Sequence, residues 1–368
     1  MELDLRKPLD RNKTILLTVL VVLIALGIAL IASHSGNIPL KSAVRLNTTN
    51  NGNVQTIGDY VYYLEAGSLH CVTSSGKFEW NVGVDSGSDF SVTNQGIAVW
   101  SGSRLRIIDK DTGGTMGSVT AQSDIISAVV GDRYAAMVLA PEHSSTVVLT
   151  DLYGNIVDTL TELDGLTVID CGFFEGRELF WLMTLDSTGS LPTCKISTYK
   201  PGKRETGAIT DMEQVIYQVM FRSSYICAVG TDYMRVYDYT GVEKEDQRVT
   251  VYGWYLEAID STTTDDPLML FVPNSQSAQD IAIKDIRCIK GNEEFMMHLP
   301  EACSRLICRG NTVYGFSGSH LVIGNYKSTQ QNVYELPMAV DEVIGITNNN
   351  VAVVTGGSFI YMIKLPAA

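Results

Sequence analysis

The sequence predicts an all-β fold of eight repeated units, an eight-bladed β-propeller, preceded by one membrane-spanning helix. Three observations carry this prediction. A strand–turn–strand pattern recurs at intervals of about 40 residues, which is the usual length of one propeller blade. From Ser42 onward, short apolar runs alternate with Gly, Asn, Asp and Ser. One uncharged stretch, Thr14–Ser33, lies near the amino terminus.

The amino-terminal region is predicted to be a membrane anchor. Residues 1–13 form a short basic tail, and Thr14–Ser33 is long enough as a helix to span about 30 Å, the thickness of a bilayer core. The basic flank places the amino terminus in the cytoplasm. A cleaved signal peptide is the alternative, but its apolar region is usually shorter, and the cleavage sequences near Ser33 and Ser35 are weak. We expect an uncleaved single-pass transmembrane helix, a connector over 34–41 and an extracytoplasmic propeller over 42–368.

The repeated unit is clearest at 94–109, where two apolar runs flank a Gly102-Ser103 turn. Glycine adopts positive φ without steric cost, as tight hairpin turns require. The third unit shows all four strands of a blade, which we place at 125–130, 134–140, 146–151 and 156–160.

The last unit predicts how the ring closes. It contains three strands, at 342–347, 351–355 and 359–365, and lacks a fourth. The alternating stretch Ser42–Asn47 belongs to no unit. Because an open ring would leave an unpaired strand edge, we expect 42–47 to supply the missing strand. Seven blades are the alternative, should the sixth unit not be a full blade.

One turn resembles a known repeat. The first unit reads Ser74-Ser75-Gly76-Lys77-Phe78-Glu79-Trp80. This is similar to the T-G-K-x-x-W turn of the PQQ-like (BamB-like) propeller superfamily, with the same Gly-to-Trp spacing, although the other units lack the Trp. Turns beginning at Asp109, Asp151 and Asp238 are weaker echoes. The resemblance covers about 42–366, and the layout resembles membrane-anchored propeller proteins of Gram-positive bacteria.

That resemblance implies a fold and no cofactor. PQQ-dependent dehydrogenases, which share the repeat, have two adjacent cysteines and a calcium site, and neither is matched here. The seven cysteines are irregularly spaced and form no CxxC pair, which argues against a zinc ribbon or a thioredoxin-like site. Cys303 and Cys308 are near enough for a disulfide, but buried free thiols are favoured. A net charge of −14 argues against nucleic-acid binding.

Signatures of catalysis are missing from the sequence. There is no GxSxG, no phosphate loop and no pair of histidines at metal-ligand spacing. Asp265-Asp266 and Glu293-Glu294 are paired acids, but their polar surroundings favour solvated positions over a glycosidase pair. The frequent tyrosines, such as Tyr252 and Tyr255, favour ordinary strand positions over a ligand platform. We therefore predict no catalytic, cofactor-binding or metal-binding residue.

Loop length suggests where binding occurs. The connections between the second and third strands are longer than the minimal turn in the third, fourth and sixth units. Loops that exceed the minimum on one face of a scaffold often carry binding, although neutral variation in length is the alternative. The candidate binding rim comprises Glu142, His143, Asp186, Ser187, Asn274 and Gln276.

The expected function is that of a protein-binding or ligand-binding scaffold in the bacterial envelope. Its partner would be another envelope protein or a cell-surface ligand. The alternative is an enzyme of hydrolase or lyase type with its site in the central funnel of the propeller. Convergent His, Asp, Glu or Arg side chains in that funnel would favour the enzyme.

Overall fold

The structure, a computed structural model, describes most of the chain after residue 37. The described ranges are 38–40, 42–46, 48, 53–140, 145–161, 163–174, 176, 178–203, 205–221, 225–238, 240–260, 262–263, 266–274 and 282–366. The chain divides into two units, Met1–Pro39 and Leu40–Ala368. In the described part of the first unit, Ile38–Pro39 forms a two-residue strand inside the expected connector. The predicted span Thr14–Ser33 lies outside the described residues, and within those residues no helix could cross a bilayer.

The second unit is an eight-bladed β-propeller, as predicted. Within this unit each blade contributes four antiparallel strands, here called a to d from the central channel outward. The a strands are Val54–Ile57, Asp89–Val92, Ile125–Val130, Leu166–Phe173, Ile216–Phe221, Trp254–Ile259, Arg305–Arg309 and Glu342–Ile346. The b strands are Tyr60–Glu65, Ile97–Ser101, Tyr134–Leu139, Phe180–Asp186, Tyr225–Gly230, Met269–Pro273, Thr312–Phe316 and Val351–Gly356.

The outer strands complete the blades. The c strands are Ser68–Thr73, Arg104–Ile108, Thr146–Asp151, Thr193–Tyr199, Tyr233–Asp238, Ile283–Lys290, His320–Asn325 and Phe359–Lys364. The d strands are Phe78–Gly83, Thr115–Thr120, Ile156–Leu160, Glu205–Asp211, Val249–Thr250, Glu293–Cys303, Gln331–Glu335 and, for the eighth blade, Ala43–Arg45. The one helix among the described residues is the single 3₁₀ turn Glu245–Gln247.

The ring closes as the sequence predicts. Ala43 pairs with Ile363 and Arg45 with Tyr361, so a strand from the beginning of the propeller forms the outer edge of the last blade. The sixth unit is a complete blade of four strands, and the seven-blade alternative is therefore wrong.

The hydrophobic core is distributed around the ring. Buried side chains form eight clusters, and each cluster is shared by two neighbouring blades. Val61 of the first blade packs with Val353 of the eighth in the cluster that seals the ring. Because every blade buries apolar side chains on both of its faces, a blade cannot be stable alone, and the ring forms one cooperative body.

The antiparallel strands give the propeller two faces. The b–c turns and the links from d to the next a lie on one face, called here the upper face. The a–b and c–d turns lie on the other, the lower face. Hydrogen bonds within the upper face confirm the assignment: Asn274 N–H, in a b–c connection, donates to Gly253 O, in a link, at 2.9 Å.

The resemblance to the PQQ-like repeat corresponds to a contact between blades. Trp80 Nε1 donates to Lys110 O at 3.2 Å, and its ring covers Gly113 in the c–d turn of the second blade. In the second blade the equivalent residue is Gly117, whose backbone lies directly against Tyr153 of the third. In the third blade it is Asp158, which accepts from Gly202 N–H of the fourth at 3.0 Å. The third residue of the d strand therefore contacts the next blade in all three cases. The contact is made by an aromatic ring in the first blade, by backbone in the second and by a carboxylate hydrogen bond in the third.

All seven cysteines lie within the described residues, and none of them, Cys303 and Cys308 included, forms a disulfide. Burial raises the pKa of Cys71, Cys288 and Cys303, each to about 12. An unfolded thiol has a pKa of about 8.5, so above that pH the unfolded chain releases protons that the folded chain retains. The stability contributed by these thiols is complete below about pH 8.5 and is lost as the pH rises toward about 12.

We therefore expect alkaline solution to destabilise the propeller. The urea midpoint should fall steadily between about pH 8 and about pH 10.5, and the fall should be shallower in a Cys288→Ala variant, which lacks one of the raised pKa values. Urea unfolding followed by tryptophan fluorescence measures both. A midpoint that stays constant across this range would contradict the prediction.

Candidate binding surface and central channel

The central channel is lined by the a strands, and the part next to blades six, seven, eight and one encloses about 730 Å³. The charged side chains on this lining are Glu257, Arg305, Arg309 and Glu342. No histidine lies among its described lining residues, and no group of His, Cys, Asp and Glu within the described ranges could hold a metal ion.

Glu257 is the titratable group that a catalytic site in the channel would use, and its contacts are structural. It occupies a β-bulge between Leu256 and Ala258 and accepts the Leu306 N–H of the next blade. Burial raises the pKa of Glu257, while Arg305 and that N–H lower it in part.

The neighbouring blade has the same arrangement with a different side chain. Tyr217 occupies the bulge of the fifth blade, and its hydroxyl accepts the Leu256 N–H at 3.2 Å. Gln55 likewise bridges the first a strand to Phe90 O and Val92 N–H of the second. Side chains of several a strands thus bind the backbone of the next a strand, and Glu257 belongs to this set.

The channel arginines are also engaged. Arg309 donates to Thr347 O and, at 2.9 Å, to Asn348 Oδ1 in the a–b turn of the eighth blade. Arg305 donates to Ser304 O at 3.1 Å. Glu257 and Arg309 therefore join neighbouring blades, whereas Arg305 bonds the residue before it in the chain and Glu342 is exposed.

The candidate rim residues are placed as follows. Glu142, His143 and Gln276 lie outside the described residues. Asp186 ends a b strand, and its Oδ1 accepts from Thr188 N–H and Oγ1 at 2.9 and 2.6 Å. These bonds lower the pKa of Asp186. Ser187 follows on the same exposed loop. Asn274 lies two blades away on the upper face, with the fifth blade between them.

The other chemical candidates lie away from any shared site. Glu294 binds Arg287 at 2.8 Å, whereas Glu293 pairs with Lys327 on the lower face. The two carboxylates are therefore separate surface ion pairs and not a glycosidase pair. His70 stacks on Tyr63 within one blade, and His298 contacts Asp285 on a blade edge.

The upper face of blades four to six carries a continuous hydrogen-bonded surface. We define the upper arc as residues 212–215, 231–232 and 251–253 together with Asn274. Thr231 N–H donates to Val215 O, and the N–H groups of Val251 and Tyr252 donate to Asp232 O at 2.8 and 3.1 Å. Asn274 N–H extends the chain to Gly253. The connections of three blades are thereby fixed to one another.

A buried polar network lies beneath the upper arc. Gln214 Oε1 accepts from Tyr233 N–H at 2.7 Å, and its Nε2 donates to Asp211 Oδ2 at 3.0 Å. Arg235 lies between Asp211 and Glu213 and pairs with both carboxylates. The side chain of Asp211 is fully buried and that of Arg235 nearly so. The network holds the upper arc in one conformation.

Large apolar side chains project from this rigid surface. Tyr252 is 76% exposed and Met212 62%, and Tyr255, at the upper end of the adjoining a strand, is 49% exposed. The Tyr255 ring stacks on Tyr217 with centroids 5.4 Å apart. Reasoning from the sequence found these tyrosines but favoured ordinary strand positions. The available signal was Tyr252-Gly253, where a large apolar residue precedes a turn glycine, outside any strand.

Comparisons with known proteins bear on the fold alone. No family model and no curated protein matches the chain. Among solved structures, Saccharomyces cerevisiae Sqt1 is similar with a TM-score of 0.59 at 12% identity, covering 90% of this chain and 100% of that one. Dihydro-heme d1 dehydrogenase NirN in complex with DHE has a TM-score of 0.53 at 10% identity, covering 88% and 78%. Apo AztD from Citrobacter koseri has 0.50 at 14% identity, covering 79% and 87%.

Proposed function

We propose that this chain is a non-catalytic binding module of the bacterial envelope. In this proposal Thr14–Ser33 anchors it as a single-pass membrane protein, the amino terminus is cytoplasmic and the propeller is extracytoplasmic. The upper face binds another envelope protein or a cell-surface ligand. The uncharged length of Thr14–Ser33 and its basic flank support the anchor.

The observation that carries the binding role is the set of exposed apolar side chains on the upper arc. Tyr and Met are enriched where proteins recognise one another, because they offer a large contact area. Their backbone is fixed by hydrogen bonds, so little conformational entropy would be lost on binding. The described members of the candidate rim, Asp186, Ser187 and Asn274, belong to b–c connections of the same face.

An enzyme with its site in the channel is the second candidate, and Glu257 is the observation in its favour. The enzyme ranks second because Glu257 and Tyr217 each accept a backbone N–H from the a strand of the next blade. This structural role explains the presence of a carboxylate at position 257 without catalysis. A chromogenic substrate turned over by the full chain and not by a Glu257→Gln variant would reverse this ranking.

If the upper face binds a partner, the Tyr252→Ser substitution should strongly reduce binding of that partner. We expect crosslinking and mass spectrometry in native membranes to recover a partner from the unaltered chain, and at least about tenfold less of it from the variant, because an aromatic anchor can contribute 2 kcal/mol or more.

The control is Tyr153→Ser. Tyr153 is 76% exposed, as Tyr252 is, but it lies in a c–d turn on the lower face. The Tyr153→Ser variant should retain the partner.

A second variant replaces Ser187–Pro192 with Gly-Ser, the turn that joins Ser101 to Arg104 in the second blade. Asp186 and Thr193 are paired across the b and c strands, as Ser101 and Arg104 are. The exchange therefore keeps the strand pairing and tests the candidate rim. Equal capture by all variants would exclude the upper face.

A further inference from the structure

The two faces of the propeller differ in charge. No described residue of the b–c turns or the d–a links is Lys or Arg, although acidic residues occur throughout them. The acidic residues of these upper connections are Asp85, Asp124, Asp164, Glu213, Asp232 and Asp341. The described lower turns hold cationic residues beside their acids, and these are Lys77, Lys110, Arg133, Lys200, Lys203, Lys244, Arg248 and Lys327. Among the described residues, the upper connections therefore carry only negative charge, whereas the lower turns carry both signs.

Around blades four to six this negative charge is incompletely neutralised. Two cations border the upper arc, and both are paired. Arg235 pairs with Asp211 and Glu213 beneath the surface, and Arg287, which donates to Thr250 O, pairs with Glu294. Within the described residues, no cation pairs with Asp164 or Asp232. Asp164 is exposed and Asp232 is partly exposed beside Tyr252. A low-dielectric surface lined by one sign of charge attracts the opposite sign.

The exposed tyrosines and the carboxylates suit the same kind of group. An ammonium or guanidinium ion is attracted by the face of an aromatic ring as well as by a carboxylate. Tyr252 and Tyr255 provide such rings, and Met212 provides adaptable apolar contact. An anionic partner, such as a phosphorylated peptide or an acidic polysaccharide, would be repelled by the same surface.

We propose that the upper arc binds a Lys- or Arg-rich segment of another protein, with an apolar residue of that segment against Met212 and the tyrosines. This rests on the proposed binding function and specifies its partner. The carboxylates accelerate encounter and select for positive charge, while the apolar contacts slow dissociation.

The test uses the full chain in detergent and a fluorescein-labelled decapeptide in which Lys alternates with Leu and Trp. Two control peptides replace every Lys with Glu, or every Leu and Trp with Ser. We expect the first peptide to bind at least about tenfold more tightly than either control, and its affinity to fall between about 50 mM and about 300 mM salt as screening increases.

Charge reversal locates the site. Asp232→Lys should weaken binding about tenfold, whereas the matched lower-face reversal Glu245→Lys should leave it unchanged. Circular dichroism and urea midpoints establish that both variants fold. Equal binding by the two reversals, or no preference for the Lys peptide over the Glu peptide, would overturn the proposal.

The outcomes separate this inference from the proposed function. If Tyr252→Ser abolishes partner capture in native membranes while the Lys peptide fails to bind, the upper face is a binding surface for a partner that is not basic. If the Lys peptide binds at the upper arc but no partner is captured through it, the chemistry is right and the binding role is wrong.

Discussion

Replacing Asp211 with Ala should lower the free energy of unfolding by about 3–5 kcal/mol, the usual result of removing one partner from a buried ion pair. The carboxylate accepts from Glu213 N–H and Gln214 Nε2, both at 3.0 Å, and faces Arg235. Without it, the buried Arg235 charge keeps only Glu213 as a carboxylate partner, and the Gln214 amide loses its acceptor. Urea unfolding followed by tryptophan fluorescence measures the change.

Two further variants distinguish the charge from the volume. Asp211→Leu/Arg235→Met removes both charges, and we expect it to recover most of the lost stability, since apolar groups of similar size often replace a buried pair without cost. Glu79→Ala removes a surface pair with Lys77 and should leave the midpoint unchanged. If the double variant is less stable than Asp211→Ala, the burial of an unpaired charge is not the cause.

Trp80→Ala should cost about 3–5 kcal/mol, because a large buried side chain is removed and the second blade cannot close the space. Trp80 covers Gly113, and its Nε1 bond to Lys110 O is lost as well. Trp80→Phe keeps a ring over Gly113 and should lose only about 1 kcal/mol for the hydrogen bond in addition to its smaller area. Thermal and urea unfolding measure the series.

Gly113 allows a sharper test of the same contact. Its φ is +73°, and a Cβ would lie 2.7 Å from the Trp80 ring, so Gly113→Ala adds both backbone strain and a steric clash. In the Trp80→Ala background the clash is absent and only the strain, about 1–2 kcal/mol, remains. The two substitutions should therefore be strongly non-additive. Additive effects would show that the ring does not rest on Gly113.

Local patterns predicted the blades well and their junctions poorly. The four strands of the third unit are predicted to within one residue, because alternation and turn residues are properties of adjacent positions. The bulges at Ile126, Ile169, Tyr217, Glu257 and Ile344 are not visible in the sequence. At Tyr217 and Glu257 the bulged residue bonds the backbone of the a strand in the next blade, and that contact is not encoded by adjacent positions in the sequence. The Trp80 position likewise becomes Gly117 and then Asp158, so a search for the aromatic residue finds one blade.

The binding surface shows a similar division. Loop length selected Asp186, Ser187 and Asn274, and the structure places them on the upper face, but loop length says nothing about exposed side chains. Tyrosine is common both in strands and at interfaces, so Tyr252 and Tyr255 could not be separated from the core by residue type. The charge difference between the faces can be predicted from the sequence once the strand boundaries are known, because these boundaries assign each turn to one face.

The seam between Ala43–Arg45 and the final strand has a consequence for synthesis. Its two halves are separated by roughly 300 residues, so the first propeller strand leaves the ribosome about 15–60 s before its partner exists, at ordinary elongation rates. During that interval the growing chain is an open spiral with an exposed strand edge at either end, and each end can pair with another nascent chain. Ring completion is therefore the last step of folding. The yield of native protein should depend on how well those edges are shielded until then.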